Sequence, residues 1–295
     1  MGIFNSSVTR VWPVFDTLFA ADSVGTYWLL PLLQAGHLFS HSSLYPLNDV
    51  GSILPQLCEF DLPISGELAK VMGPDRLQVL PMLRNAYECD IAPPQAFLRW
   101  LLENPNALSW PKQNQAEEKI YGDRTQQCRK SLLAGDRKIQ AEALREFDLK
   151  GVAESKGKWW AFEGFTSVDC LLETERLVVF VEGKRTEAIS KSTDWFPKRN
   201  QVIRNLEAAK ERAGSSKEYA VLLCAEKRLE IPESAWSDSL PHYSPAEIAD
   251  LRKHYLGCAL WGEIRDKLSP SLKLPDTLDE AIAHCAALRA KEKRA

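Results

Sequence analysis

Apolar positions along this chain follow two different periods, and the change from one to the other marks the elements. Tyr27 to Leu38 is apolar almost all round and predicts a buried helix. Asp75 to Tyr87 and Pro94 to Leu102 carry apolar residues three to four apart and predict two more helices. Pro55, Pro63, Pro74, Pro81 and the Pro93-Pro94 pair cut this region into short pieces. Asn104 to Glu118 is polar, contains two prolines and reads as a linker. Asp136 to Asp148 predicts a helix with Ile139, Ala143 and Phe147 turned inward. Beyond it the period shortens. Lys158 to Phe162, Val168 to Thr174 and Leu177 to Val181 read as strands, and Tyr219 to Ala225 as a further buried one. Between them Phe196 to Arg212 predicts a helix, with Pro197 near its start and Gly214 just past its end. From Pro245 the chain reads as helical again, finishing near Asp279 to Lys293.

Helix, three strands, helix, strand is the order of an α/β core, a mixed β-sheet flanked by helices. The division that follows is a helical N-terminal region (1–115), the core (116–230) and a helical C-terminal region (231–295). Within the core, the stretch from Leu177 to Val181 runs directly into Glu182-Gly183-Lys184. Side chains two apart on a strand share a face, so a carboxylate and an ammonium project together from the end of a buried strand. Buried charge is costly unless it is paired or binds a metal. A hairpin turn of two or four residues around Thr174 and Glu175 sets Glu173 against Arg176 and Leu172 against Leu177. In that register Asp169 lies opposite Phe180, on the face of Glu182 and diagonal to it. A three-residue turn would send Asp169 to the other face.

A hydrophobic fraction of 45% and a charged fraction of 26% are ordinary for a soluble globular chain. A net charge of −3 excludes a protein that coats nucleic acid through overall positive charge, though not one with a local basic groove. The seven cysteines are scattered without a CxxC pair, which suits free thiols in a reducing cytoplasm and offers no zinc-ribbon spacing. No secretory signal is expected, and the longest apolar run, Val24 to Phe39, is interrupted by Pro31, Gln34 and His37, so no membrane span is expected. No GxxxxGK[ST] loop occurs, which excludes a built-in P-loop ATPase.

Asp169, then Glu182-x-Lys184 after an apolar strand, then a helix carrying Gln201, resembles the PD-(D/E)xK nuclease superfamily, whose members include restriction endonucleases, recombination exonucleases and phage-defence nucleases. The resemblance covers residues 130–226 and implies a restriction-endonuclease-like fold. It implies that Asp169 and Glu182 ligate Mg²⁺ (or Mn²⁺), with the carbonyl of Gly183 a further ligand, and that Lys184 orients or activates the attacking water. Ser167-Val168 stands where the family keeps a small residue and a proline. Some branches add a glutamate from the preceding helix, for which Glu142 is the choice here, with Glu146 and Glu163 as rivals. Others place a glutamine after the ExK strand, which falls on Gln201. Gln201, Arg204 and Asn205 share one helical face by spacing. DNA is the implied substrate, and phage defence or repair the implied setting.

The chemistry asks for these residue types independently. Phosphodiester hydrolysis needs a nucleophilic water, neutralised phosphoryl oxygens and help for the leaving oxygen, and a hard cation held by carboxylates supplies all three. Lys191, Lys198, Arg199 and Arg204, with Arg124, Arg129, Lys130, Arg137 and Lys138, are candidates for phosphate contacts; the alternative is a solvated face offset by Glu187, Asp194, Glu207 and Glu211. Trp159-Trp160 and Trp195-Phe196 could stack on bases but read better as packing. His37 and His41 lack a third ligand nearby and read as structural, and Cys170 as a core thiol. The competing reading of the whole chain is a non-catalytic nucleic-acid- or protein-binding module on the same fold. The helical regions offer surface for a protein partner or a second copy.

Overall fold

The computed structural model describes residues 7–22, 25, 28–39, 78–80, 89–111, 123–173, 177–268, 280 and 283. The chain is a mixed α/β protein built on a five-stranded and a two-stranded sheet. The larger sheet has the order β1-β4-β5-β6-β7, formed by Gln78–Leu80 (β1), Cys170–Glu173 (β4), Leu177–Gly183 (β5), Glu218–Ala225 (β6) and Tyr255–Leu260 (β7). Cys89–Ile91 (β2) and Thr166–Val168 (β3) form the smaller one. β4 runs antiparallel to β1 and β5, whereas β5, β6 and β7 are mutually parallel. The five-residue apolar run of β5 sits at the centre of this arrangement, buried on both faces because helices cover each side of the sheet.

Alternation along the strands loads two cores. Cys170, Leu172, Val179, Val181, Leu222 and Cys224 face the helices Trp12–Ala21 (α1), Leu29–Gln34 (α2) and Trp261–Leu268 (α9). Leu171, Val178, Phe180, Val221 and Leu223 face Gln201–Ala213 (α6), Glu233–Ser239 (α7) and Pro245–Arg252 (α8). A third cluster, around Phe97, Leu101, Phe147, Trp160 and Trp195, joins Gln95–Glu103 (α3), Asp123–Leu133 (α4) and Arg137–Lys150 (α5) to the segments ahead of β3 and α6. Among the described residues no helix is long and apolar enough to cross a membrane.

Several expectations change. Strands from all three expected regions enter one sheet, so the boundaries at 115/116 and 230/231 do not separate independent units among the described residues. Gln78–Leu80, inside the helix expected from Asp75 to Tyr87, is a strand, because its apolar residues find a partner edge in β4. Lys158 to Phe162 forms turns rather than a strand, with Trp160 and Phe162 buried among helices. The described part of the expected linker is packed: Leu108 is buried, Ser109 N–H donates to Trp195 O (2.9 Å), and Trp110 meets Trp195 edge to face. Tyr255–Leu260, expected to be helical, is the third parallel strand. The helix expected from Asp279 to Lys293 lies outside the described residues, apart from positions 280 and 283.

α6 begins five residues later than Phe196, at Gln201, because Asn200 caps it. The Asn200 side chain accepts from Val202 N–H (3.0 Å) and Ile203 N–H (3.3 Å), satisfying two donors that the first turn leaves unpaired. Gly214, with φ +60, closes the other end as expected. This cap fixes where the helix starts and therefore which side chains face the end of β5. Asn200→Ala is expected to cost about 0.5–2 kcal/mol of stability, with Asn200→Ser recovering part of it, measured by urea unfolding.

Candidate functional site

The parallel strands β5, β6 and β7 end at the same edge, and the polar residues after the apolar run of β5 gather there. Glu182 follows the parity of Val178 and Phe180 and so points toward α6. It is 2% exposed. Its Oε1 accepts from Gln201 Nε2 (2.6 Å) and lies 2.8 Å from Lys184 Nζ, and its Oε2 accepts from Asn205 Nδ2 (2.9 Å). The Gln201–Asn205 spacing of one helical turn lets both amides grip one carboxylate. Asn205 in turn accepts from Thr166 Oγ1 through its Oδ1 (3.0 Å), which fixes the direction of its amide.

Asp169 stands in the bend between β3 and β4, 5% exposed, and its Oδ2 accepts from Gly183 N–H (2.7 Å). The β4–β5 pairing slides two residues from the expected register: Leu172 pairs with Val179 and Leu171 with Phe180. Asp169 itself lies in the bend, outside this ladder, where Val168 and Leu171 both face the α6 core and the alternation breaks, so the register does not carry the expected face to it; its contact is with the Gly183 amide. Lys184, 8% exposed, does not extend into solvent. Burial alone would push its pKa down, but the Glu182 and Asp169 carboxylates outweigh that and raise it, so the side chain is an ammonium at neutral pH.

The backbone around this group is held from behind. Lys184 N–H donates to Cys224 O (2.8 Å), and Trp261 Nε1 donates to Lys184 O (2.9 Å). Gly183 has no room for a side chain: a Cβ there would lie 2.4 Å from Val11 Cγ2 and 3.3 Å from the Trp261 ring. Cys170 is buried in the opposite core, as expected of a packing thiol. His37 is structural, its Nδ1 accepting from Cys258 N–H (3.0 Å); His41 lies outside the described residues.

The remaining site candidates are dispersed. Glu142 is on α5, 3.7 Å from Arg124, and Glu146 on the same helix binds Lys150 (2.6 Å) and Trp160 Nε1 (3.1 Å). Glu163 is the rival that reaches α6, with Oε1 3.0 Å from Arg204 Nε and 3.1 Å from Arg199 Nε. Arg199 is a correction. Instead of facing phosphate it is 0% exposed, enclosed by Glu163, Glu207 (2.8 Å), the Ser239 carbonyl (2.9 Å) and the Phe97 ring at 3.6 Å. Apart from Glu207, its partners are distant in sequence, so the basic run Lys198-Arg199 gave no sign of it. Lys198 is exposed and paired with Asp238 (2.9 Å), Lys191 is exposed, and Arg204 is half-buried.

No protein-family model, curated protein or solved structure matches the chain. Its functional reading therefore rests on this geometry.

Among the described residues no group of three His, Cys, Asp or Glu side chains is placed to hold a metal. Two carboxylates with a nearby carbonyl nevertheless fit a Mg²⁺-type ion, which takes hard oxygen donors and usually keeps several waters. Asp169, Glu182 and the Gly183 carbonyl are the residues that would hold it.

Two predictions follow from the packing around this edge. Gly183→Ala should destabilise by about 1–3 kcal/mol through overpacking, and adding Val11→Ala should recover part of that loss in a double-mutant cycle read by denaturant unfolding. The Arg199 network gives the other. Burial raises the Glu207 carboxyl, but Arg199 and His242 (2.5 Å) outweigh it and hold its pKa below 4.5. A depressed folded-state pKa contributes stability that is present above the unfolded value and lost as pH falls through the folded one. Glu207→Gln should therefore cost about 3–5 kcal/mol at pH 7, and its gap from the unmodified protein should narrow on acidification below about pH 4.5.

Proposed function

We propose that this chain is a Mg²⁺- or Mn²⁺-dependent nuclease of the PD-(D/E)xK type that hydrolyses phosphodiester bonds in DNA. The observation that carries the reading is the buried Glu182 carboxylate, oriented by Gln201 and Asn205 and touching the Lys184 ammonium, with Asp169 bound to the next residue's amide. Chain order supports it as well: a helix (α5), the antiparallel β4–β5 pair, α6 and then β6 parallel to β5 are consistent with a restriction-endonuclease-like core.

When bound, the cation supplies charge neutralisation and activates water. The protein's own part is positional and electrostatic. Asp169 and Glu182 present oxygens from adjoining β-segments, and Gln201 and Asn205 hold Glu182 in one orientation. Lys184, charged and nearly enclosed, stabilises negative charge developing on the phosphoryl oxygens and holds the attacking water by hydrogen bonding. Such preorganised charge is worth a few kcal/mol where water is excluded.

One observation favours the second reading, a non-catalytic binding module. Both oxygens of Glu182 already accept hydrogen bonds from protein groups, so the cluster is also a self-sufficient polar core. Cleavage assays separate the two. Purified protein with Mg²⁺ or Mn²⁺ is expected to cut circular or linear DNA, and chelation to stop it. Asp169→Asn, Glu182→Gln and Lys184→Ala should each lower the rate by about 10²-fold or more with the fold retained by circular dichroism. Undiminished cutting by all three variants, or no cutting by the unmodified chain on duplex and single-stranded substrates, rejects the enzyme reading.

A further inference from the structure

Alongside α6 the surface opens into a cleft of about 780 Å³ whose walls come from five places in the sequence, one of them Asp90 of β2. The loop ahead of β3 contributes Lys156, Lys158 and Phe165, and the loop ahead of α6 contributes Ser192 and Thr193. Arg129 on α4 and Arg204 on α6 complete the basic lining. Arg204 also stands one turn along α6 from Gln201, whose amide holds Glu182, so one helix serves both the cleft and the carboxylate site.

We propose that this cleft binds a single nucleic-acid strand, holding one or two unpaired nucleotides next to the Glu182 site. Its location relative to chemistry rests on the nuclease reading, whereas its binding chemistry does not. Four features carry it. A volume near 780 Å³ is that of a site for one drug-sized molecule, roughly 300–1,000 Å³, which suits unpaired nucleotides and excludes a duplex from entering. The lining holds four cations against three carboxylates (Asp90, Glu163 and Asp194), together with hydroxyls and a partly exposed aromatic ring, Phe165, groups that can follow a sugar–phosphate backbone and stack a base.

The cations are also held in place. Arg129 donates to the Trp159 carbonyl (2.8 Å) and lies 4.7 Å over the Trp195 ring. Arg204 donates to the Gly164 carbonyl (2.8 Å) and pairs with Glu163, and Lys156 lies 5.6 Å over the Phe165 ring while pairing with Asp90 (2.7 Å). At the inner end Glu163 is fully buried and its Oε2 has no hydrogen-bond partner. Buried acceptors are normally satisfied, and an N–H of a base edge is the kind of donor that such a cleft would bring toward it.

The experiment uses the full chain carrying Asp169→Asn, so that binding is read without cutting. Fluorescence anisotropy is measured with a labelled single strand of about 10 nucleotides, as DNA and as RNA, and with a blunt duplex of equal length. The single strand should bind at least about tenfold tighter than the duplex, and the DNA and RNA arms decide which sugar the cleft takes. Adding Lys158→Ala should weaken single-strand binding and lower the slope of log affinity against log salt by about 1. Phe165→Leu, which keeps apolar volume but removes the ring, should weaken binding about tenfold with the salt slope unchanged.

Equal affinity for duplex and single strand, or wild-type binding in both cleft variants, overturns the proposal. Cleavage by the chain without Asp169→Asn, assayed in parallel, separates the two readings. Cutting that survives both cleft substitutions with unchanged binding removes the cleft and leaves the nuclease. Single-strand binding that depends on Lys158 and Phe165, in a chain that cuts nothing, removes the nuclease and keeps the cleft.

Discussion

One buried carboxylate governs the arrangement of this molecule. Glu182 lies inside the protein at the end of a strand that is otherwise wholly apolar, and leaving it without partners there would be prohibitive. The chain meets the requirement with two amides from α6 and an ammonium two residues on, just past the end of the strand. That solution constrains the start of α6, the rotation of the helix and the length of β5 together, because moving any one of them takes a donor away from the oxygen it serves. Asn200 sets the helix start, Thr166 sets the direction of Asn205, and Gly183 lets Val11 and Trp261 close behind the strand.

A second polar knot lies on the other side of α6. Arg199 ties the loop carrying Glu163, the middle of α6 at Glu207 and the end of α7 at Ser239 into one unit. Replacing such a group by apolar residues often costs little, whereas removing one partner costs much. Its presence beside the Glu182 site means that α6 is gripped on two faces. The amides that orient Glu182 are thereby carried on a helix with little freedom to roll.

Much of the central unit could be read from residue order. The apolar run of β5, the strand at Tyr219 to Ala225 and the helix after Asp136 announce themselves through periodicity, whereas the β4–β5 register lies two residues from the expected one and the bend at Asp169 interrupts the alternation on which its expected face depended. What escaped was non-local. β7 and β1 are short apolar stretches whose strand character comes from the neighbours they pair with, and nothing in YLGCAL or QVL alone demands a strand. The burial of Arg199 was equally invisible: Glu207, eight residues on, reads as an offset on a solvated face, and the groups that enclose the pair, Glu163, Ser239 and Phe97, lie far away in sequence. Lys158 to Phe162 looked like a strand because bulky aromatics favour sheets, but Trp160 and Phe162 are spent on helix packing instead.

The bond from the Trp261 indole to the Lys184 carbonyl has a consequence for how the protein comes into being. Glu182 and Lys184 leave the ribosome long before Cys224 and Trp261, the residues that pin their backbone. Until α9 and the strand before it have emerged, the sheet lacks its outer parallel strand β7, and β5 lacks the Trp261 ring that closes behind Gly183. A nascent chain therefore carries every acidic and basic group of the cluster before their geometry, and the arrangement is completed only once Trp261 has emerged.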